Sequence, residues 1–233
     1  MRTWKTSGGC KVIQLMSGRC NVFMLSNGDK NILIDTGRKN SWDKLSAQIE
    51  ETNVTHFDAL ILTHTHFDHV ENASKVKEKY KTQVIVHQSE GDFLKRGDSP
   101  LPQGTILPTR FLISHFGDRL QPVFKYDECD FDILVDSKFD LSSFGFNAYV
   151  LHTPGHSCGS LSVIVDDEIA IVGDAMLGVY VGTVFPPFAD NVSQMIESWR
   201  ILLDTGCHTF LPAHGTANSR ELLQKCYESR VNS

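Results

Sequence analysis

The most informative segment of the sequence is Thr63-His64-Thr65-His66-Phe67-Asp68-His69, which directly follows the apolar run Ala59–Leu62. Its metal-competent side chains are His64, His66, Asp68 and His69. A short apolar run predicts a buried strand, and side chains two apart in an extended segment point to the same side. Asp68 and His69 are adjacent, and their side chains can point towards a second metal position where the chain turns into a helix. Because imidazoles and carboxylates suit zinc, iron or manganese, the stretch predicts ligands for two neighbouring metal positions.

Three further polar residues follow predicted strands later in the chain, and each stands beside a glycine. They are His156 in Gly155-His156, Asp174 in Gly173-Asp174 and His214 in His214-Gly215. Strand ends on one edge of a sheet sandwich converge in space. We therefore expect these three side chains to join the first stretch in a single metal site.

This ordered set of motifs, from Ile34-Asp35-Thr36-Gly37 to His214-Gly215, resembles the metallo-β-lactamase-fold hydrolase superfamily. The resemblance implies an α/β protein, a four-layer αββα sandwich with a dinuclear site on its rim. It also implies the sharing of ligands: His64, His66 and His156 for the first ion, Asp68, His69 and His214 for the second, and Asp174 for both. The implied cofactors are two divalent metal ions, with zinc expected and iron or manganese as alternatives.

Two divalent cations that share a water lower its pKa and supply hydroxide near neutral pH, which can attack a carbonyl or phosphoryl group. Asp68 can ligate, steer the nucleophile or pass a proton to the leaving group. Tyr180 is a candidate donor to a developing oxyanion, with a core tyrosine as the alternative interpretation. Metal-bound imidazoles need partners for their second nitrogen. Asp35 and Thr63 are candidates for that role, although Asp35 has the alternative of capping its own turn.

The predicted reaction is hydrolysis of an acyl ester, thioester or lactone of a small-molecule substrate. Asp174 in the Gly-Asp position departs from the true β-lactamases and resembles the thioesterase and lactonase branches of the superfamily. Two alternatives remain open at this point. One is a mononuclear iron dioxygenase resembling the persulfide dioxygenases, and the other is a phosphodiesterase or nuclease.

The composition is that of an ordinary globular protein, and we predict one domain over residues 1–233. With 22 Lys plus Arg against 28 Asp plus Glu, the net charge is −6, which argues against a nucleic-acid partner because phosphates attract basic surfaces. No apolar stretch approaches the roughly 20 residues of a membrane span, so no membrane partner is expected. The six cysteines are scattered and Met1–Cys10 lacks an apolar signal core, which predicts free thiols and a cytoplasmic location.

Local patterns predict strands and helices in two similar halves. The predicted strands are Lys11–Met16, Asn21–Leu25, Ile32–Ile34, Ala59–Leu62, Gln83–His87, Asn147–Leu151, Leu161–Val165, Ile169–Val172 and His208–Leu211. Asn27-Gly28 predicts a hairpin turn, and Ser41 an N-cap. Further helices are predicted over Asn72–Tyr80, from about Asn191, and after a possible capping box of Asn218 and Glu221.

Residues 90–145 differ from the rest, because they hold four of the eight prolines, at positions 100, 102, 108 and 122. Prolines interrupt regular elements, so this region is predicted to be part loop and part short strand. It is interpreted as an insertion that forms a lid. The apolar side chains from Leu101 to Ile113 are expected to form a wall beside the metals, with a homodimer contact as the alternative.

Overall fold

The computed structural model describes residues 1–232, and its first sheet has seven strands in chain order. They are β1 (Arg2–Lys5), β2 (Lys11–Met16), β3 (Val22–Ser26), β4 (Asn31–Ile34), β5 (Ala59–Ile61), β6 (Gln83–His87) and β7 (Ile133–Val135). Strands β1 to β4 pair antiparallel, and β4 to β7 run parallel. The predicted hairpin turn joins β3 to β4, where Gly28 takes a φ of 105° that favours glycine.

The second sheet has six strands in the order β13-β12-β11-β10-β9-β8. They are β8 (Lys138–Asp140), β9 (Ala148–His152), β10 (Leu161–Val165), β11 (Ile169–Gly173), β12 (Thr209–Pro212) and β13 (Asn218–Ser219). Strands β9 and β11 both pair antiparallel with β10, and β12 is parallel to β11. Strands β9, β11 and β12 therefore run in one direction, and their carboxyl ends lie at the same edge.

Over residues 1–232, seven α-helices complete the fold: α1 (Trp42–Glu51), α2 (Phe67–Val70), α3 (Ala73–Tyr80), α4 (Gly91–Arg96), α5 (Leu107–Leu120), α6 (Val192–Leu203) and α7 (Arg220–Val231). None of these helices, within residues 1–232, is long and apolar enough to cross a membrane. The six cysteines are free thiols, as predicted.

Three apolar layers show how the sandwich is assembled. Ile34 of β4 packs between the sheets with Val163 of β10, whereas the neighbouring Leu33 points to the opposite face and packs with Leu45 of α1. The outer face of the second sheet is covered in the same way by α6, whose Trp199 is fully buried. Because alternate strand residues face opposite sides, each sheet has two buried faces. The predicted αββα sandwich is confirmed.

The region from 90 to 145 contains the predicted short strands, β7 and β8, but also two helices that the sequence interpretation missed, α4 and α5. Helix α5 has 14 residues, where loop and short strand were predicted. Pro108 stands in its first turn, where a missing N–H breaks no helical hydrogen bond. Leu112, Phe116 and Leu120 stand at helical spacing, but the prolines at 108 and 122 favoured loop, and no residue of α5 is buried. Leu107 and Phe111 are exposed on its surface.

Two helix-cap predictions need correction. Ser219, not Asn218, is the N-cap of α7 and accepts a hydrogen bond from the Leu222 N–H at 3.3 Å. Asn218 lies in β13, and its side chain donates to the Leu177 carbonyl at 3.0 Å. Ser41 occupies the N-cap position of α1, but its hydroxyl donates to the Arg38 carbonyl instead. In both cases another nearby partner satisfies the polar side chain.

Candidate metal centre

Four loops bring the seven predicted metal ligands together at one edge of the sandwich. His64 and His66 follow β5, Asp68 and His69 lie in α2, and His156, Asp174 and His214 follow β9, β11 and β12. Among these seven residues, three groups have ligand atoms within 4.8 Å of one another: His64–His66–His156, His64–His69–Asp174 and Asp68–His69–His214. The first and third groups correspond to the two ligand sets implied by the resemblance to the metallo-β-lactamase-fold superfamily.

Asp174 lies between the two sets. Its Oδ2 is 3.3 Å from Nε2 of His214 and 3.6 Å from Nε2 of His156, and its Oδ1 is 3.8 Å from Nε2 of His69. Burial by itself would raise the pKa of Asp174, but the imidazoles of His214, His156 and His69 outweigh it and hold that pKa below its ordinary value. One ionised carboxylate therefore faces imidazoles from both sets, as a bridging ligand requires.

Asp35 orients two of the imidazoles. Its Oδ2 lies 2.9 Å from Nδ1 of His69 and accepts a hydrogen bond from the Thr63 hydroxyl at 2.8 Å. The same hydroxyl oxygen lies 3.2 Å from Nδ1 of His64. Asp35 Oδ1 accepts from the Thr63 backbone N–H at 2.8 Å. Asp35 therefore does more than cap its own turn. It holds Nδ1 of His69 directly and Nδ1 of His64 through the Thr63 hydroxyl, which leaves Nε2 of both rings directed to the centre.

Backbone carbonyls orient two further imidazoles. Nδ1 of His156 lies 3.0 Å from the Phe188 carbonyl oxygen, and His66 is hydrogen-bonded to the backbone of Pro100. The remaining nitrogens, Nδ1 of His66 and Nε2 of His156, are only 3.0 Å apart. When His156 donates its N–H to the Phe188 carbonyl and His66 donates its N–H to the Pro100 carbonyl, each of the two facing nitrogens carries a lone pair. Two lone pairs at that distance repel unless a cation or a proton lies between them.

The chemistry of the donor atoms fits divalent metals. Within residues 1–232, buried His64 Nε2, His69 Nε2 and Asp174 Oδ1 lack a hydrogen-bond partner, which costs roughly 1–3 kcal/mol for each atom left unpaired. Burial and the neighbouring imidazoles lower the pKa of His64 and His66, which favours the neutral form that binds metal. Five imidazoles and two carboxylates suit zinc, iron or manganese.

A buried carboxylate that the sequence interpretation did not single out also contacts the site. Glu90, after β6, is 1% exposed and accepts hydrogen bonds from the backbone N–H and the hydroxyl of Thr65, at 2.6 and 2.8 Å. Its other oxygen accepts from the Ser157 hydroxyl and, at 3.0 Å, from the Gly159 N–H. The signal available was its position, since Glu90 also follows the carboxyl end of a predicted strand.

A cavity of about 410 Å³ opens beside the candidate ligands. Its lining includes the candidate ligands His66, Asp68, His156, Asp174 and His214. The rest of the wall comes from Phe67 of α2, residues 99–102, Leu112, Ile113 and Leu120 of α5, Phe124, Leu177, Val179 and residues 186–188. Part of the predicted apolar wall from Leu101 to Ile113 therefore borders the site, whereas Leu107 and Phe111 do not line the cavity.

Tyr180, the predicted oxyanion donor, is not brought into this cavity. Its side chain is 53% exposed, and the same loop contributes Leu177 and Val179 to the lining instead. The alternative of a core tyrosine is wrong, because the ring lies at the surface. The loop is anchored by Gly178, whose N–H donates to the His214 carbonyl at 2.8 Å.

Comparison with known proteins agrees with this geometry. A family model described as the metallo-beta-lactamase superfamily matches residues 16–214. A probable metallo-hydrolase of Methanocaldococcus jannaschii is 29% identical over 198 residues, which cover 83% of this chain and 86% of the relative. An atrochrysone carboxyl ACP thioesterase of Aspergillus chevalieri is 27% identical over 199 residues, 84% of this chain but only 51% of the relative. The crystal structure of TTHA1623 in a di-iron-bound form superposes with a TM-score of 0.64 at 22% identity, covering 92% of this chain and 97% of that one.

The chain belongs to the metallo-beta-lactamase superfamily, since the family model spans most of its length. The fold, the gathered histidines and aspartates, and the metallo-hydrolase relative all agree with that membership. Within the superfamily, this protein is a metal-dependent hydrolase.

Proposed function

We propose that the protein is a dinuclear metal-dependent hydrolase that cleaves an acyl ester, thioester or lactone. The observation that carries the proposal is the division of seven donor residues into two sets with the Asp174 carboxylate between them. His64, His66 and His156 would hold the first ion, Asp68, His69 and His214 the second, and Asp174 both. Zinc is the expected metal, and the di-iron form of TTHA1623 supports iron as the first alternative.

When bound, the two ions would lower the pKa of a shared water and polarise the oxygen of the acyl group. Asp68 lines the cavity, and its Oδ2 lies 3.4 Å from Nε2 of His214. From there its carboxylate can orient the attacking water, accept its proton and pass that proton to the leaving group. Asp35 keeps Nδ1 of His69 engaged, so that Nε2 remains the free ligand atom. The apolar side chains around the cavity exclude bulk water from the reacting groups.

An acyl substrate is favoured over a phosphodiester. The cavity lining contains no Lys or Arg among residues 1–232, whereas sites for phosphates usually carry cationic side chains. The A. chevalieri relative is named as a thioesterase, which supports acyl chemistry at a similar site.

The test combines metal content with substrate class. Protein reconstituted with zinc, iron or manganese should approach two metal equivalents in elemental analysis and hydrolyse at least one of a panel of esters, thioesters and lactones. Saturation at one equivalent would contradict the dinuclear site. One iron with oxygen uptake would identify the dioxygenase alternative, and turnover of phosphodiesters alone would identify the phosphodiesterase.

A further inference from the structure

The cavity beside the candidate metal centre is polar at one end and apolar over the rest of its wall. One end is formed by the candidate ligands, and the remaining wall is apolar apart from Ser99. The Ser99 hydroxyl donates to the Thr65 carbonyl at 2.6 Å and lies 2.7 Å from the Tyr126 hydroxyl. Its hydrogen is thus already used within the protein. Apart from the candidate ligands, the described lining residues therefore offer a substrate no free polar side chain.

Arg38, a cation that contacts the cavity-lining Phe67, does not change this picture. The guanidinium of Arg38 lies 5.0 Å from the centre of the Phe67 ring, and its Nε lies 3.8 Å from a Glu71 oxygen. Phe67 in turn stacks on Phe124 with ring centres 4.2 Å apart. The cavity is bordered by the two rings and not by Arg38. An anionic group in its apolar part would be desolvated without a compensating charge.

We propose that this cavity binds a neutral, apolar acyl group, whose bond to the leaving group is cleaved at the metal centre. The inference rests on the proposed function for the cleavage but not for the binding. A volume of about 410 Å³ falls within the range of roughly 300–1,000 Å³ typical of small-molecule sites. Linear or branched acyl chains fit this chemistry, whereas dicarboxylic and phosphorylated acyl groups do not.

Hydrolysis by the metal-loaded protein tests the preference for apolar acyl groups. Along a series of p-nitrophenyl esters from acetate upward, kcat/KM should rise about fourfold per methylene, because each buried methylene contributes roughly 0.8 kcal/mol. The rise should stop once the cavity is filled. An ester of equal length with a terminal carboxylate should be hydrolysed at least tenfold less efficiently. Equal rates along the series, or preference for the carboxylate, would overturn the inference and leave the hydrolase proposal intact.

Binding measured without turnover separates the two proposals. Neutral straight-chain amides, titrated into the metal-loaded protein by calorimetry, should bind more tightly as the chain lengthens. Loss of hydrolysis with retained amide binding would reject only the proposed function. Absence of length-dependent binding would reject the acyl site.

Two substitutions on helix α5 test whether the amide binds in the cavity. Ile113 of α5 lines the cavity, whereas Phe111 of the same helix is 58% exposed and does not. Ile113→Asp should weaken binding of the longest amide at least tenfold, and Phe111→Asp should leave it unchanged. Neither side chain is buried, so circular dichroism should report a folded protein in both cases. Equal weakening in the two variants would assign binding to the exposed face of α5 and overturn the inference.

Discussion

Glu90 accepts a hydrogen bond from the backbone N–H of Thr65 at 2.6 Å. Thr65 stands between two candidate ligands, His64 and His66. The other Glu90 oxygen accepts from Ser157, which directly follows the candidate ligand His156. One buried carboxylate therefore joins the two loops that carry the first ligand set, although these loops belong to different sheets.

Glu90→Gln should weaken binding at the first metal position. An amide has one acceptor oxygen and an NH₂ group, so it cannot accept from all the donors that surround the carboxylate. Changes in residues that support ligands typically reduce metal affinity 10- to 100-fold, and we expect an effect of about that size. Competition with a chelator of known affinity measures it directly.

Asp132→Asn is the matched control for Glu90→Gln. Asp132 also accepts a backbone N–H, that of Val84, at 2.8 Å, but at the amino end of β6. The metal affinity of the Asp132→Asn variant should equal that of the unchanged protein. If the Glu90→Gln and Asp132→Asn variants bind metal with the same affinity, Glu90 does not position the ligands.

Asp35→Asn should affect mainly the second metal position, because His69 contacts Asp35 directly whereas His64 keeps its contact with the Thr63 hydroxyl. Asp35 has a φ of 59°, a conformation that asparagine tolerates, so the turn should be preserved. The amide would no longer offer His69 Nδ1 a charged acceptor, and affinity should fall about 10- to 100-fold. Elemental analysis at limiting zinc should then approach one equivalent. Two equivalents under the same conditions would contradict the role assigned to Asp35.

Asp68→Ala should remove most turnover without unfolding the protein. Asp68 lies in the first turn of α2 and is partly exposed at the cavity, so its loss leaves no hole in the core. The rate of ester hydrolysis and the circular dichroism spectrum report the two effects. Asp92→Ala changes an exposed aspartate in the first turn of α4 and should leave turnover intact. Near-normal activity of the Asp68 variant would exclude its role at the nucleophile.

Metal binding should raise the thermal stability of the protein. In the metal-free state, the facing nitrogens of His66 and His156 and the unpaired buried atoms are unfavourable. Free zinc at 100 times its dissociation constant stabilises by about 2.7 kcal/mol, which corresponds to a Tm increase of roughly 5–10 °C for a chain of this length. Differential scanning calorimetry with buffered zinc measures the shift. An unchanged Tm would argue against a metal site formed by these residues in the folded protein.

Much of this protein is determined by local sequence. The alternation of apolar residues in segments such as Leu161–Val165 predicts strands because side-chain direction alternates within a few residues. The seven candidate ligands stand at strand ends, where a short motif and its order along the chain identify them. The fold follows from the same information, since each predicted strand and most helices carry their own apolar face.

Three features were decided only by tertiary structure. Helix α5 has Pro108 in its first turn and Pro122 just beyond its end, so the local pattern favoured loop although Leu112, Phe116 and Leu120 stand at helical spacing. Tyr180 is close to Asp174 along the chain, yet its loop turns the ring to solvent. Glu90 acquires its role from partners 25, 67 and 69 residues away. Local patterns report which side of an element is apolar, whereas long-range contacts depend on how the two sheets pack, and that packing is a property of the whole chain.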